Sequence, residues 1–258
     1  MKFQLIALFF LIVFFAFILL FLYLGIYSAQ RKAKNRKTSN NSGFQIVEGA
    51  VFTLLGLIVA FTFASANQRF DQRRYLIIEE ANAIRTVYLR MDLVSSEIQK
   101  NLRQALKQYL FYQIANYQKI SDFNTFILNH AKAQAVQKKI WNLAVKDCIS
   151  KDNQYECSLL LSALNKMFDI ANTRYENSYV HPPLIIFILL VGLALLGALL
   201  AGYNIGEKKD GSILHLVSYA LVIAITIFII IDLELPRIGF IRIDSFDTVL
   251  VQLYQEMA

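Results

Sequence analysis

The sequence predicts an all-α integral membrane protein with four transmembrane helices and a long-helix bundle domain inserted between spans 2 and 3. Three observations predict it. Hydrophobic residues make up 56% of the 258-residue chain and gather into long runs. A stretch of 114 residues, 67 to 180, contains neither proline nor glycine. The short segments between apolar runs are strongly basic.

The first run, Leu5 to Tyr27, is 23 residues without a charge. That is enough to cross roughly 30 Å of hydrocarbon at about 1.5 Å per residue. Lys2 before it and Tyr27-Ser28-Ala29 after it faintly resemble a cleavable signal. Its apolar core exceeds the about 7–15 residues of such signals, so it is expected to remain as span 1. The basic linker 28–43 follows, in which "RKAKNRK", Arg31 to Lys37, carries five cations. Span 2, Phe44 to Ala66, is less pure, because Gln45 and Glu48 lie near its start. Span 3 opens at Pro182 and Pro183, where missing amide donors cost a helix start little, and runs to Tyr203. Span 4, Ile213 to Ile231, is interrupted by His215, Ser218 and Thr226, and Lys208 and Lys209 precede it.

Both basic loops fall on one face of a four-span protein, and short basic loops are held on the cytoplasmic side. The expectation is therefore a protein of the bacterial cytoplasmic membrane whose helical domain and both termini lie outside. The net charge of +7 then reads as a topology signal and as contact with membrane lipid headgroups, with no nucleic acid as partner.

A proline- and glycine-free segment of such length suits helices alone. Four are expected, at 67–93, 97–119, 123–148 and 154–178, broken by a capping box at Ser96 and Gln99, by Asp122, and by Asp152 or Asn153. Leu102, Leu106, Tyr109, Leu110 and Gln113 recur at helical spacing, as do Ile140, Leu143 and Ala144, so each helix has a face to bury. Pro236 and Gly239 demand a bend after span 4, and Asp247 to Met257 suits one short amphipathic helix. The organisation is then 1–66 for spans 1 and 2 with their linker, 67–180 for the helical domain, 181–235 for spans 3 and 4, and 236–258 for a C-terminal segment packing on that domain.

Cys148 and Cys157 are separated by eight residues. An outside location permits a disulfide between them, and a cytosolic one leaves two thiols. No CxxC pair or His/Cys cluster suggests a metal, and no GxSxG, P-loop, GxGxxG or HExxH motif suggests an enzyme or a cofactor. His130, His181 and His215 fall in separate elements.

The candidate functional residues lie on span 2 and at its exit. Gly49, Thr53, Gly56, Ala60 and Ala64 form one stripe of small residues, the pattern of close helix packing and also of a pore wall. Past the span, Asn67, Arg69, Arg73 and Arg74 form a basic collar around Asp71, and Asp232, Glu234, Arg237 and Arg242 follow span 4 at the same depth. Arg69 and Arg73, one turn apart, are expected to face Asp232 or Glu234, either as a structural ion-pair ring or as an anion-attracting vestibule. Glu79, Glu80, Asn82 and Arg85, with Asn165, Asp169 and Asn172 at i, i+4, i+7, are expected to join one buried polar network.

Together "EGAVFTLLGLIVAFTFASANQRFDQRR" at 48–74, "EEANAIRTVYLRMDL" at 79–93, "LNKMFDIANTR" at 164–174, the Pro-Pro opening of span 3 and "IIDLELPRIGFIRI" at 230–243 resemble the bacterial membrane proteins grouped as bestrophin-like. More distantly, the glycine-bearing span 2 running into Gly56 to Arg74 is similar to bestrophins, which are pentameric anion channels. The resemblance implies a homo-oligomer that conducts anions such as chloride. The alternative is a non-conducting membrane sensor or partner-binding module. Two departures stand beside it. Bestrophins keep their helical domain and termini in the cytosol, opposite to the orientation argued by the basic loops. Thr53, Gly56, Leu57 and Ala60 also occupy the region where an aromatic-rich neck would lie.

Overall fold

The computed structural model describes residues 2–33, 42–118, 123–150, 154–208 and 213–257. The expected caps Asp122, Asp152 and Asn153, and half of the basic linker, lie outside them. Among the described residues eight α-helices follow one another: α1 (Lys2–Ala33), α2 (Ser42–Arg90), α3 (Ser96–Gln118), α4 (Phe123–Ser150), α5 (Gln154–Asn177), α6 (Leu184–Lys208), α7 (Ile213–Glu234) and α8 (Thr248–Glu256). Single 3-10 turns at Met91–Leu93 and Asp244–Asp247 precede α3 and α8. No strand occurs among the described residues.

Of the described helices, α1, α2, α6 and α7 are long and apolar enough to cross a membrane. Span 2 and the first helix expected after it are one uninterrupted element, because α2 runs for 49 residues, about 74 Å at 1.5 Å per residue.

The chain divides into two compact units, 1–70 with 181–241, and 71–180 with 242–258. In the first, α1 lies along α6 and also meets α7. The α1–α6 contact is backbone on backbone. A Cβ at Gly25 would fall 2.2 Å from the Leu199 carbonyl oxygen, one at Gly202 2.1 Å from that of Leu22, and one at Gly206 2.8 Å from that of Ile26. Gly202 and Gly206 form a GxxxG pair, the small-residue spacing that lets helices approach closely in lipid. Around it Ile18, Leu22, Leu190, Ala194 and Ala198 are buried.

In the second unit, Leu102, Leu106, Tyr109, Leu110 and Gln113 of α3 are all buried, as are Ile140 and Ala144 of α4. Cys148 at the end of α4 and Cys157 at the start of α5 are joined by a disulfide, with Cα atoms 5.5 Å apart. α8 buries Leu250 and Leu253 and packs on α3. The capping box expected at Ser96 is replaced by a different arrangement. The Ser95 carbonyl receives the Ile98 and Gln99 amides at 3.1 and 2.8 Å, and the Ser95 hydroxyl donates to Asp147 at 2.6 Å. The Gln99 side chain donates to Asp92 instead of reaching back, because the 3-10 turn brings that carboxylate alongside.

His130 of α4 stacks on Tyr175 of α5 with ring centroids 3.5 Å apart. Burial lowers its pKa against a smaller upward pull from Glu176. A histidine whose folded pKa is depressed contributes stability above its unfolded value of about 6.5, and that contribution is lost as pH falls toward the folded value. The melting temperature is expected to decline on acidification below about pH 6.5, and His130→Gln to flatten that limb in a pH series of thermal melts.

Candidate functional site

α2 is the least covered of the four apolar helices: 6% of its apolar window is buried, against 28% for α6. What it does bury is one edge. Phe52 meets Tyr219 of α7 edge-on at 5.9 Å, Leu55 is buried, and Gly197 of α6 leaves room for both Phe52 and Leu55. Near its start Glu48 Oε2 accepts from Asn204 Nδ2 of α6 at 2.7 Å, so this carboxylate at membrane depth has a protein partner, as its cost there requires.

The small-residue stripe lies elsewhere on α2. Gly49, Thr53, Gly56, Ala60 and Ala64 are all exposed, and a Cβ at Gly49 or Gly56 would meet nothing within 4 Å among the described residues. The Thr53 hydroxyl donates back to the Gly49 carbonyl at 2.8 Å, which leaves the stripe without an outward-facing donor at that turn. The close helix packing of this chain is made by Gly25, Gly202 and Gly206 instead.

At the exit of α2 the structure brings some collar residues together and separates others. Arg69 donates to Glu234 through Nε at 2.8 Å and Nη2 at 2.5 Å. The Glu234 side chain is 4% exposed and that of Arg69 22%, and His181 Nδ1 lies 3.7 Å from the other Glu234 oxygen. This pair lines a largely apolar pocket of about 280 Å³ together with Ile58, Phe61, Pro183, Phe187 and Ile230. Arg73 donates to the backbone carbonyls of Asn177 at 3.4 Å and Val180 at 2.9 Å. Arg74 pairs with Asp71 at 2.9 Å and lies over the Phe246 ring. Asn67 is exposed and Arg237 half-buried.

Asp232 binds a loop rather than an arginine. Its carboxylate is 3% exposed and accepts the amide of Phe240 at 2.9 and 3.0 Å and that of Ile241 at 2.7 Å. The chain reverses after Pro236 tightly enough that a Cβ at Gly239 would sit 2.4 Å from Asp232 Oδ1. Gly239→Ala is therefore expected to expel this loop from the carboxylate. Arg69→Ala and Glu234→Ala are each expected to cost on the order of 3 kcal/mol, with the double variant well below their sum. Arg69→Ala combined with Asp232→Ala is expected to be close to additive. Chemical unfolding in detergent measures all three.

The buried polar network of the helical unit is built from other residues than expected. Asn165, Asp169 and Asn172 do share a face, but that face is exposed; it points to solvent because α5 buries Leu160, Leu164, Met167 and Ala171 on the opposite side. Glu79 is half-buried, and Asn82 and Arg85 are exposed. Glu80 alone of that set is fully buried, and its Oε2 accepts from Arg174 Nη1 at 2.5 Å. Arg174 Nη2 donates to Asp247 at 2.9 Å, and the guanidinium lies 3.6 Å from the centre of the Tyr117 ring. One arginine thus joins α2, α3, α5 and the turn before α8. Burial would lower the Arg174 pKa, but Glu80, Tyr117 and Asp247 outweigh it and raise it. Nearby, Tyr109 accepts from Gln113 at 2.6 Å; burial and the Glu80 charge push its hydroxyl pKa up.

Comparison with known proteins places these features. The Bestrophin-like domain family matches residues 12–245. No curated protein matches the sequence. Among solved structures, a tyrosine-to-alanine variant of a bacterial bestrophin homologue from Klebsiella pneumoniae superposes with a TM-score of 0.71 at 13% identity, covering 96% of this chain and 98% of that one. A second crystal structure of a bestrophin homologue from that organism gives a TM-score of 0.69 at 13% identity over 95% and 97% of the two chains. An aspartate-to-alanine variant gives 0.68 at 11%, over 95% and 98%. At such identities the likeness is one of fold.

Proposed function

The chain belongs to the Bestrophin-like family, and from that premise we propose that it is an oligomeric anion channel whose pore wall is the small-residue stripe of α2. One observation carries the reading: Gly49, Thr53, Gly56, Ala60 and Ala64 form a continuous face at membrane depth that the protomer leaves open, while the other edge of α2 is anchored by Glu48, Phe52 and Leu55. An unpartnered small-residue face in lipid is satisfied by other copies of the same helix, arranged around an axis or packed directly together. The bestrophin resemblance supports the axial arrangement and chloride-class anions as cargo.

The collar acts in this reading as structure rather than as an anion vestibule. Arg69 is neutralised by Glu234 and Arg74 by Asp71. Arg69→Glu would set two carboxylates against each other, so the variant is expected to misfold rather than to alter selectivity.

The decisive experiment reconstitutes the purified protein in liposomes and measures chloride against sodium flux. Chloride flux that falls several-fold in Gly56→Leu, with thermal stability unchanged, supports the channel. A protein that is monomeric in lipid nanodiscs and passes no ion overturns it and leaves the non-conducting sensor or partner-binding module.

We further propose that the helical domain and both termini face the outside of the cytoplasmic membrane. The basic loops support this, and so does the Cys148–Cys157 disulfide, since structural disulfides persist in oxidising compartments. A periplasmic reporter fused after Ala258 is expected to be active, and both cysteines to resist alkylation until reduced. A reporter active only in the cytoplasm, with freely alkylated thiols, reverses the orientation.

A further inference from the structure

The helical unit carries a small apolar surface beside the chain connection that leads into α6. Tyr179 and Val180 follow α5 and are 44% and 51% exposed. α6 begins at Leu184, so even a fully extended connection keeps Val180 within about 15 Å of the first apolar residue of that span. The same corner is tied to α2. Arg73 donates to the carbonyls of Asn177 and Val180, and Arg73 lies seven residues, roughly 10 Å of helix, beyond the end of the apolar run at Ala66.

α4 begins against this corner. Phe126 is buried, stacked on Tyr175 at 5.4 Å and edge-on to Tyr179 at 6.2 Å. With Phe126 turned inward, helical geometry turns the next two side chains outward, and Ile127 and Leu128 are 45% and 54% exposed. Lys132, one turn after Leu128 on the same face, is exposed as well. Two large aliphatic side chains, a tyrosine against the adjoining Phe126 and an exposed lysine one turn further along, its Nζ 5.8 Å from the Tyr112 ring centre, form the composition of a segment lying in a membrane interface. There the aliphatic groups leave water, the tyrosine spans the headgroup depth, and the lysine reaches back to solvent.

We propose that the first turns of α4, with Tyr179, are an interfacial membrane anchor that places Ile127 and Leu128 among the lipid headgroups on the side where α2 leaves the bilayer. The anchor needs no partner protein; its ligand is the phospholipid surface. It rests on the reading of the chain as membrane-inserted, and the test separates the two.

The chain has one tryptophan, Trp141, which lies 13 residues, about 20 Å, further along α4 than Leu128. It is the internal reference for a position away from the lipid. In full-length protein carrying Trp141→Phe, Leu128→Trp and, separately, Ile127→Trp supply single fluorophores on exposed positions. Phe17→Trp, on the exposed side of α1, reports the bilayer core. The proteins are reconstituted in phosphatidylcholine vesicles with bromines either near the headgroup or near the chain ends. The anchor predicts roughly twofold stronger quenching by shallow than by deep bromines at positions 127 and 128, the reverse order at position 17, and no quenching of Trp141 in the unaltered protein. Quenching at 17 with none at 127 or 128 refutes the anchor while leaving membrane insertion intact; blue-shifted emission at those two positions would then assign the surface to a neighbouring subunit, and red-shifted emission to water. No quenching at position 17 refutes insertion and the anchor with it.

Discussion

Arg174→Met is expected to remove about 3–5 kcal/mol from the stability of the helical unit, the loss typical of breaking a buried ion pair by deleting one partner. The variant leaves Glu80 and Asp247 buried in one place with no cation between them, and takes the guanidinium off the Tyr117 ring. Arg174→Lys should recover only part of the loss, since an ammonium cannot present the planar fork that reaches both acids at once. Glu80→Gln should cost less than Arg174→Met, because Asp247 keeps its partner. Thermal melts followed by circular dichroism rank the three. Equal melting temperatures for Arg174→Met and the parent would show that the triad holds nothing.

The second large effect is expected at Gly202→Leu. The Cβ alone would stand 2.1 Å from the Leu22 carbonyl oxygen, and the obstacle is helix backbone, which has no rotamer to escape into. Overpacking in a core usually costs about 1–3 kcal/mol, and a backbone clash belongs at or above the top of that range. α1 is expected to come away from α6, read out as protease sensitivity of the first span and loss of monodisperse protein in detergent. Gly56→Leu makes the same chemical change on α2 in open space, so it serves as the control, and its protomer should melt like the parent.

These two glycines show what a sequence exposes and what it conceals. The spans and the helices of the second unit are legible because long uncharged runs and the absence of proline and glycine admit few other structures. Which glycine is crowded is not legible from composition. Gly202 and Gly206 stand in GxxxG spacing on α6, and that spacing is the available signal, yet the stripe on span 2 has more small residues and, among the described residues, a Cβ at either of its glycines would meet nothing within 4 Å. A similar limit applies to α5. Spacing of i, i+4, i+7 shows that Asn165, Asp169 and Asn172 share a face, but the direction of that face is decided by the apolar residues opposite. Arg174, five residues after Asp169, lies on the inward side. At the collar, Asp232 and Glu234 are two residues apart and so point to nearly opposite sides of α7; that alone implies that only one of them meets α2. That the other would be consumed by amides eight and nine residues ahead depends on a chain reversal no local pattern specifies.

The link between Cys148 and Cys157 has a use that follows from where oxidants are found. A bond of this kind is made after the chain has reached its final side of the bilayer and is not exchanged afterwards, so the two sulfur atoms keep a record of how that individual molecule was threaded. In a population inserted in a single direction, every chain carries the same record. In one inserted both ways, the oxidised and thiol-labelled bands of a non-reducing gel divide in proportion to the two orientations, and membrane sidedness becomes a quantity counted chain by chain.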